Sequence, residues 1–169
     1  MRPVAVLVGP PGAGKTTVGR LVAGRLGVAF RDTDADIVHG AGTPISEIFI
    51  DEGEEHFRAL ERAAVAAALQ THDGVLSLGG GAVLSAETRA LLQEHVVVYL
   101  EADLTAAANR VGLSRDRPVL ALNPRATLKV LLDERTPLYR EVATHVVDTS
   151  RLPAKDVVAK VLDALASPA

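Results

Sequence analysis

A phosphate-binding loop is predicted near the start of the 169-residue chain. Residues 9–16 read GPPGAGKT and fill the pattern Gly, four free residues, Gly, Lys and Ser or Thr. The glycines let successive backbone N–H groups turn toward an anion, and a following helix adds the positive end of its dipole. We expect Lys15 to reach the β and γ phosphates of a nucleotide and Thr16 to bind Mg²⁺. The alternative is a glycine-rich turn between a core strand and a core helix.

Two aspartates could complete phosphoryl-transfer chemistry. Asp32 and Asp34 follow an apolar segment that begins at Val28. Asp32, at a strand end, could hold the water shell of a metal ion opposite Thr16, since Mg²⁺ favours carboxylates and retained waters. Asp34, two residues on in an extended chain, would lie on the same side and could orient or deprotonate an acceptor hydroxyl. The alternative is that one or both aspartates cap the following helix.

Two arginines suggest an acidic acceptor. Arginine binds a carboxylate through two parallel hydrogen bonds, so Arg58 and Arg135 entering one cleft would suit a small acid. For either arginine alone, a solvated helix face is the simpler interpretation. Their spacing in the sequence does not bring them together.

Short apolar strands alternate with amphipathic helices along the chain. Strands are predicted at 4–8, from 28, at 75–78, at 96–100 and at 146–147. Alternation of this kind predicts a three-layer α/β fold, in which a parallel sheet carries helices on both faces. We expect Ser46 to cap a short helix, and Pro137 to kink or divide a helix over about 125–143. The carboxyl ends of the strands would face a ligand crevice.

Two interruptions of this pattern predict ligand contacts. The triple glycine 79–81 follows a strand directly, and three adjacent glycines suggest that something approaches the backbone closely. Residues 112–118 combine charges with turn formers between two helices, which favours a mobile lid.

Composition excludes several function classes. The chain has no cysteine, so thiol catalysis and thiolate metal sites are excluded. Its net charge is -3, and its basic residues form no stripe, which argues against a general nucleic-acid binder. Its five histidines lack metal-ligand spacing. The first apolar run stops at Gly9, too soon for a signal peptide or a membrane span. We therefore expect a cytoplasmic protein that acts on small molecules.

These motifs together resemble the shikimate kinases over nearly the whole chain. The resemblance rests on the phosphate-binding loop, Asp-Thr-Asp at 32–34, Phe57-Arg58, the triple glycine, Arg117-Pro118, and Arg135 with Pro-Leu-Tyr at 137–139. It implies a five-stranded parallel sheet of order 2-3-1-4-5 in one domain over residues 1–169. It also implies a substrate-binding region at about 33–61 and a lid at about 112–124.

The resemblance assigns a role to each site residue. The catalytic residues would be Lys15, Asp34 and Arg117, with Asp34 as base and Arg117 reaching the moving phosphate from the lid. Thr16 and Asp32 would serve Mg²⁺. The nucleotide would contact Gly12, Ala13, Gly14, Lys15, Thr16, Thr17, Arg110, Arg117 and Pro153, with Arg110 and Pro153 beside adenine. The acceptor would contact Asp34, Phe49, Phe57, Arg58, Glu61, Gly79, Gly80, Gly81, Pro118 and Arg135.

The implied function is ATP-dependent phosphorylation of the 3-hydroxyl of shikimate by a monomer. Gluconate kinase, built on a similar scaffold, is the enzymatic alternative, and Phe57-Arg58 with the triple glycine favours shikimate. A GTP-binding switch or a regulatory ATP-binding module is the alternative from another class. The chain lacks the Asn-Lys-x-Asp motif that reads guanine, which argues against the GTP-binding switch.

Overall fold

The computed structural model describes residues 2–111 and 124–167. Five strands form one parallel sheet in the order β2-β3-β1-β4-β5, which confirms the expected topology. The strands are β1 (Ala5–Val8), β2 (Phe30–Asp32), β3 (Val75–Ser77), β4 (Val97–Glu101) and β5 (His145–Asp148). Because all five run in the same direction, their carboxyl ends meet at one edge of the sheet.

The described residues also form eight α-helices and a short 3-10 turn. The helices are α1 (Lys15–Leu26), α2 (Thr33–Ala41), α3 (Ile45–Glu52), α4 (Glu54–Thr71), α5 (Ala86–Leu92), α6 (Leu104–Val111), α7 (Pro124–Val142) and α8 (Ala154–Ala166), and the 3-10 turn is Ala82–Leu84. In the part of the chain that the structure describes, no helix is both long and apolar enough to cross a membrane.

Alternation along the strands sends side chains to both faces of the sheet. On β1, Leu7 joins a core cluster with buried residues of α1 and α8, while Val6 and Val8 join a second cluster with α4 and the end of α7. A third, small cluster holds Ile37, Ile48 and Phe57, one each from α2, α3 and α4. The region at about 33–61 therefore has an apolar core of its own, and its role as a substrate-binding region stays a prediction.

Several local expectations differ from the structure. The segment after β2 turns at once into α2, so Asp34 lies in a first helical turn and not in an extended chain. Helix α3 begins after Pro44, whose fixed φ suits a helix start, and Ser46 lies inside the helix instead of capping it. Helix α7 runs continuously through Pro137, so the proline does not divide it.

Candidate active site

The phosphate-binding loop connects β1 to α1 and needs its glycines. Gly12 and Gly14 have φ values of 82° and 88°, in the left-handed region that favours glycine. A methyl group at Gly9 would lie 2.6 Å from the Leu100 carbonyl oxygen. The loop therefore keeps its shape only with these residues, as a cradle built from backbone N–H groups requires.

Lys15 spans this loop. Its Nζ donates to the Gly9 carbonyl at 2.7 Å and to the Pro10 carbonyl at 3.1 Å. Thr16 and Thr17 follow, exposed, on the first turn of α1. The cationic group and the two hydroxyls thus lie at the amino end of a helix, where phosphate binding is favourable.

Asp32 connects the loop to α2. The Thr16 hydroxyl donates to Asp32 Oδ2 at 3.4 Å, and Asp32 Oδ1 accepts the Asp34 N–H at 2.9 Å. Asp32 therefore caps α2, which was the alternative role considered for it, while its second oxygen remains beside Thr16. Both interpretations of Asp32 are compatible with one geometry.

Glu61 on α4 is a buried carboxylate beside Arg58. It is 3% exposed, and its Oε1 accepts a hydrogen bond from Arg58 Nη1 at 2.9 Å. Burial raises the pKa of Glu61 above its ordinary value; the Arg58 guanidinium opposes this shift. Glu54, one turn earlier on α4, approaches Arg58 Nη2 at 3.7 Å. Arg58 is thus held from two sides on its own helix.

The triple glycine lies against this group. A methyl group at Gly79 would be 2.6 Å from Asp34 Oδ1 and 3.0 Å from Glu61 Oε2. One at Gly81 would be 2.7 Å from Arg58 Cζ. Bare backbone therefore lets Asp34, Glu61 and Arg58 approach β3 at its carboxyl end.

Arg135 reaches the same group from α7. Arg135 is 7% exposed. Burial has the largest effect on the pKa of Glu61, followed by Arg58 and Asp34, and the Arg135 guanidinium has a smaller effect that lowers this pKa. The Nε atoms of Arg58 and Arg135 are buried without a hydrogen-bond partner among the described residues. Two guanidinium groups from separate helices thus face one small region, which suits an anionic ligand. We refer to Asp34, Arg58, Glu61 and Arg135 as the acceptor cluster.

Two phenylalanines stand next to the acceptor cluster. The Phe49 and Phe57 rings lie 4.8 Å apart, and the Arg58 guanidinium lies 5.4 Å from the centroid of the Phe57 ring. Phe57 is 3% exposed, so it mainly packs in the small core of this region and supports Arg58, while Phe49 keeps some exposed surface.

Arg110 bridges the phosphate-binding loop and the turn after β5. Its guanidinium donates to the Gly12 carbonyl at 3.1 Å, to the Thr149 hydroxyl at 2.9 Å and to the Thr149 carbonyl at 2.7 Å. Pro153, exposed, ends this turn and precedes α8. The residues expected beside adenine are therefore brought to the same end of the sheet as the loop.

Two functional candidates carried no role in the sequence interpretation. Thr149 is 1% exposed and, besides accepting from Arg110, donates to the Glu101 carbonyl at 2.9 Å. Tyr139 is fully buried and donates to the Gly80 carbonyl. Each had a signal in the sequence: Thr149 follows a strand directly, and Tyr139 lies four residues after Arg135 on one helix face.

The predicted lid lies outside the described residues except at its last residue, where α7 begins. Arg117 and Pro118, expected to contact the moving phosphate and the acceptor, belong to that segment. Their assigned roles stay predictions.

Comparisons with known proteins agree on one family. A family model described as shikimate kinase matches residues 11–166. A shikimate kinase from Saccharopolyspora erythraea is 62% identical over 164 residues, covering 96% of this chain and 94% of that protein. Among solved structures, a shikimate kinase from Acinetobacter baumannii in complex with shikimate matches with a TM-score of 0.91 and 39% identity, covering 96% of this chain and 92% of that one. A gluconokinase from Sinorhizobium meliloti, with a TM-score of 0.62 and 22% identity over 96% of this chain and 90% of its own, shares the fold.

Proposed function

Because this chain belongs to the shikimate kinase family, we propose that it transfers the γ-phosphoryl group of ATP to the 3-hydroxyl of shikimate. The products are shikimate 3-phosphate and ADP, within the route to chorismate and the aromatic amino acids. The observation that carries the acceptor assignment is the pair of arginines, Arg58 and Arg135, whose Nε atoms are buried without a hydrogen-bond partner among the described residues.

The residues of the acceptor cluster have separate roles in binding or activating shikimate. Arg58 and Arg135 bind the carboxylate, since each offers paired N–H groups in a fixed plane. Glu61 holds Arg58 in place through its 2.9 Å contact. Asp34 accepts the proton of the 3-hydroxyl while the oxygen of that hydroxyl forms a bond to the γ-phosphorus. Positioning of this kind supplies much of the acceleration in phosphoryl transfer.

The phosphate-binding loop holds the donor. Its backbone N–H groups and Lys15 bind the β and γ phosphates, and Lys15 turns from the Gly9 and Pro10 carbonyls toward them. The bond between the γ-phosphorus and the bridging oxygen breaks as ADP leaves. Arg117, from the lid, balances charge on the moving group.

Thr16 and Asp32 fit a bound Mg²⁺. A hydroxyl and a carboxylate oxygen 3.4 Å apart match the oxygen ligands that this ion prefers, directly or through water. Across the described residues, no group of three or more acidic or imidazole side chains could hold a metal. A site with few protein ligands, completed by phosphates and water, is typical of Mg²⁺ bound with a nucleotide. When bound, Mg²⁺ neutralises charge on the phosphates.

A direct assay tests the function. Purified protein is incubated with ATP, MgCl2 and either shikimate or gluconate, and the products are identified by mass spectrometry. We expect shikimate 3-phosphate and ADP in the first mixture and no phosphorylated product in the second. Phosphogluconate would establish the alternative sugar-acid kinase. Tight GTP binding without transfer to shikimate would favour a nucleotide switch.

We also propose that the enzyme works in the cytoplasm as a monomer on small molecules, without nucleic acid or membrane. The net charge of -3 and the scattered basic residues support this proposal. The lid at about 112–124 would close over the substrates within a single domain of residues 1–169.

A further inference from the structure

The three glycines of residues 79–81 have hydrogen-bonded carbonyl groups of two kinds. The carbonyls of Gly79 and Gly81 accept the N–H groups of Ala82 and Leu84 at 3.1 Å, within the same short turn. The Gly80 carbonyl instead accepts the hydroxyl of Tyr139, which comes from α7. The middle peptide unit is therefore the one that another element holds.

That bond sets the direction of an N–H group. The Gly80–Gly81 peptide unit is trans, so its C=O and N–H point in opposite directions. With the carbonyl bound to Tyr139, the N–H of Gly81 points away from α7. Gly81 lies against Arg58, since a methyl group there would be 2.7 Å from Arg58 Cζ. The residue that carries this N–H therefore lies next to the acceptor cluster, and the bond to Tyr139 fixes the plane of its peptide unit.

Tyr139 is itself held rigidly. It is fully buried, and its ring stacks on Tyr99 with centroids 5.1 Å apart. It also lies one helical turn after Arg135, so both side chains project from the same face of α7. One helix therefore supplies a guanidinium of the acceptor cluster and the hydroxyl that orients the glycine backbone.

We propose that Tyr139 is a positioning residue for the acceptor: its hydroxyl holds the Gly80 carbonyl so that the Gly81 N–H can donate to an oxygen of shikimate. The inference rests on the proposed function, because it names how that acceptor is oriented. Tyr139 does not touch the reacting atoms.

Tyr139→Phe tests the proposal by removing one hydroxyl and keeping the stacked ring. We expect kcat/KM for shikimate to fall by roughly ten- to a hundredfold, as misplacement near a reacting group does. Binding of shikimate without nucleotide, measured by calorimetry, should weaken as well. The KM for ATP should stay within about twofold of the wild type, because the phosphate-binding loop is unchanged.

Tyr99→Phe is the matched control. It removes the other hydroxyl of the same stacked pair, which bonds to Thr136 and not to the glycines. We expect kinetics close to those of the wild type. If both variants behave alike toward shikimate, or if Tyr139→Phe weakens ATP and shikimate equally, the proposal is overturned. Failure of the wild type to phosphorylate shikimate would instead reject the proposed function.

A second measurement keeps Tyr139 in place. The chain has two tyrosines, so incorporation of 3-fluorotyrosine places one fluorine on each ring. Tyr99→Phe assigns the two ¹⁹F signals. On addition of shikimate without nucleotide, we expect the Tyr139 signal to shift more than that of Tyr99. Equal shifts, or no shift at Tyr139 while calorimetry shows binding, would contradict the positioning role.

Discussion

At the level of single residues, the proposed roles divide into a phosphate function and an acceptor function. Lys15 and Thr16 belong to the predicted phosphate-binding loop, whereas Asp34, Arg58 and Glu61 lie beside the triple glycine. Removing one group should therefore affect one substrate more than the other. This division makes the assigned roles separable by kinetics.

Asp34→Asn should nearly abolish phosphoryl transfer while the fold survives, because an amide cannot accept the hydroxyl proton. Asp36→Asn is the matched control on the same helix, since Asp36 forms a half-buried pair with Arg31 at 2.7 Å. We expect the control to keep most of its activity. A kcat near that of the wild type in Asp34→Asn would reject the base assignment. Circular dichroism checks that both variants fold.

Arg58→Ala should weaken shikimate binding by about 1.5–3 kcal/mol, the range for a lost charge-assisted hydrogen bond, and ATP binding far less. Calorimetric titration with each substrate measures both affinities. Arg140→Ala, which breaks an exposed pair with Glu101 at 2.8 Å, is the control and should change neither. Equal losses for ATP and shikimate in Arg58→Ala would count against a carboxylate-binding role.

Glu61 predicts a specific pH dependence of stability. Burial raises the pKa of Glu61 above 4.5 in the folded state, so the folded protein keeps this proton after the unfolded chain has lost it. The free energy of unfolding of the wild type, relative to Glu61→Gln, should therefore decrease as pH rises from 4.5 through the raised pKa, and then level off. Urea denaturation of both proteins from about pH 4 to pH 8 measures this difference. A difference that grows with pH would mean that the Arg58 pair outweighs burial.

At the level of elements, each functional side chain lies where a strand or a helix delivers it. The ends of β1, β2, β3 and β5 supply the phosphate-binding loop, Asp32, the triple glycine and Thr149. Arg58 and Arg135, which are far apart in the sequence, come from helices α4 and α7. Hydrogen bonds between these elements then orient the backbone, as Tyr139 does for Gly80 and Arg110 does for Gly12.

Thr149→Val tests the nucleotide side at this scale. The change keeps nearly the same shape but removes the hydroxyl that joins Arg110 to the Glu101 carbonyl. We expect the KM for ATP to rise about fivefold or more, corresponding to about 1 kcal/mol, with little change for shikimate. Thr144→Val removes a comparable hydroxyl, which bonds to the Val97 N–H and the His95 carbonyl at the opposite end of the sheet. If both variants raise the KM for ATP equally, Arg110 does not position the loop.

At the level of the whole molecule, the exposed large apolar residues are scattered over several elements. They include Leu21 and Leu26 on α1, Ile50 on α3 and Val130 on α7. Single exposed apolar residues are normal on a monomer and need no partner. We therefore expect sedimentation velocity to show one species with the mass of a single chain, with or without both substrates. A concentration-dependent increase in mass would contradict the monomer proposal.

The expected architecture was largely recoverable from the pattern of apolar residues. Alternating strands and helices predicted the α/β class, and the resemblance implied the strand order that the structure confirms. Local details were less predictable, because neighbouring residues compete for the same role. Pro44 starts α3 in place of Ser46, and Pro137 fits inside α7 because the surrounding helix packs on the sheet.

The sequence by itself determined the phosphate-binding loop, because that motif is contiguous and its glycines and lysine carry their own geometry. It also indicated Asp32 and Asp34, which are close in the chain. Only the tertiary structure decided that Arg135 on α7 comes near enough to act on the charge of Glu61, which bonds to Arg58, and that Tyr139 holds Gly80. These residues come from separate elements, and the packing of α4 and α7 against the sheet places them. Spacing along the chain does not predict which of these distant residues come into contact, because their contacts depend on how the helices pack.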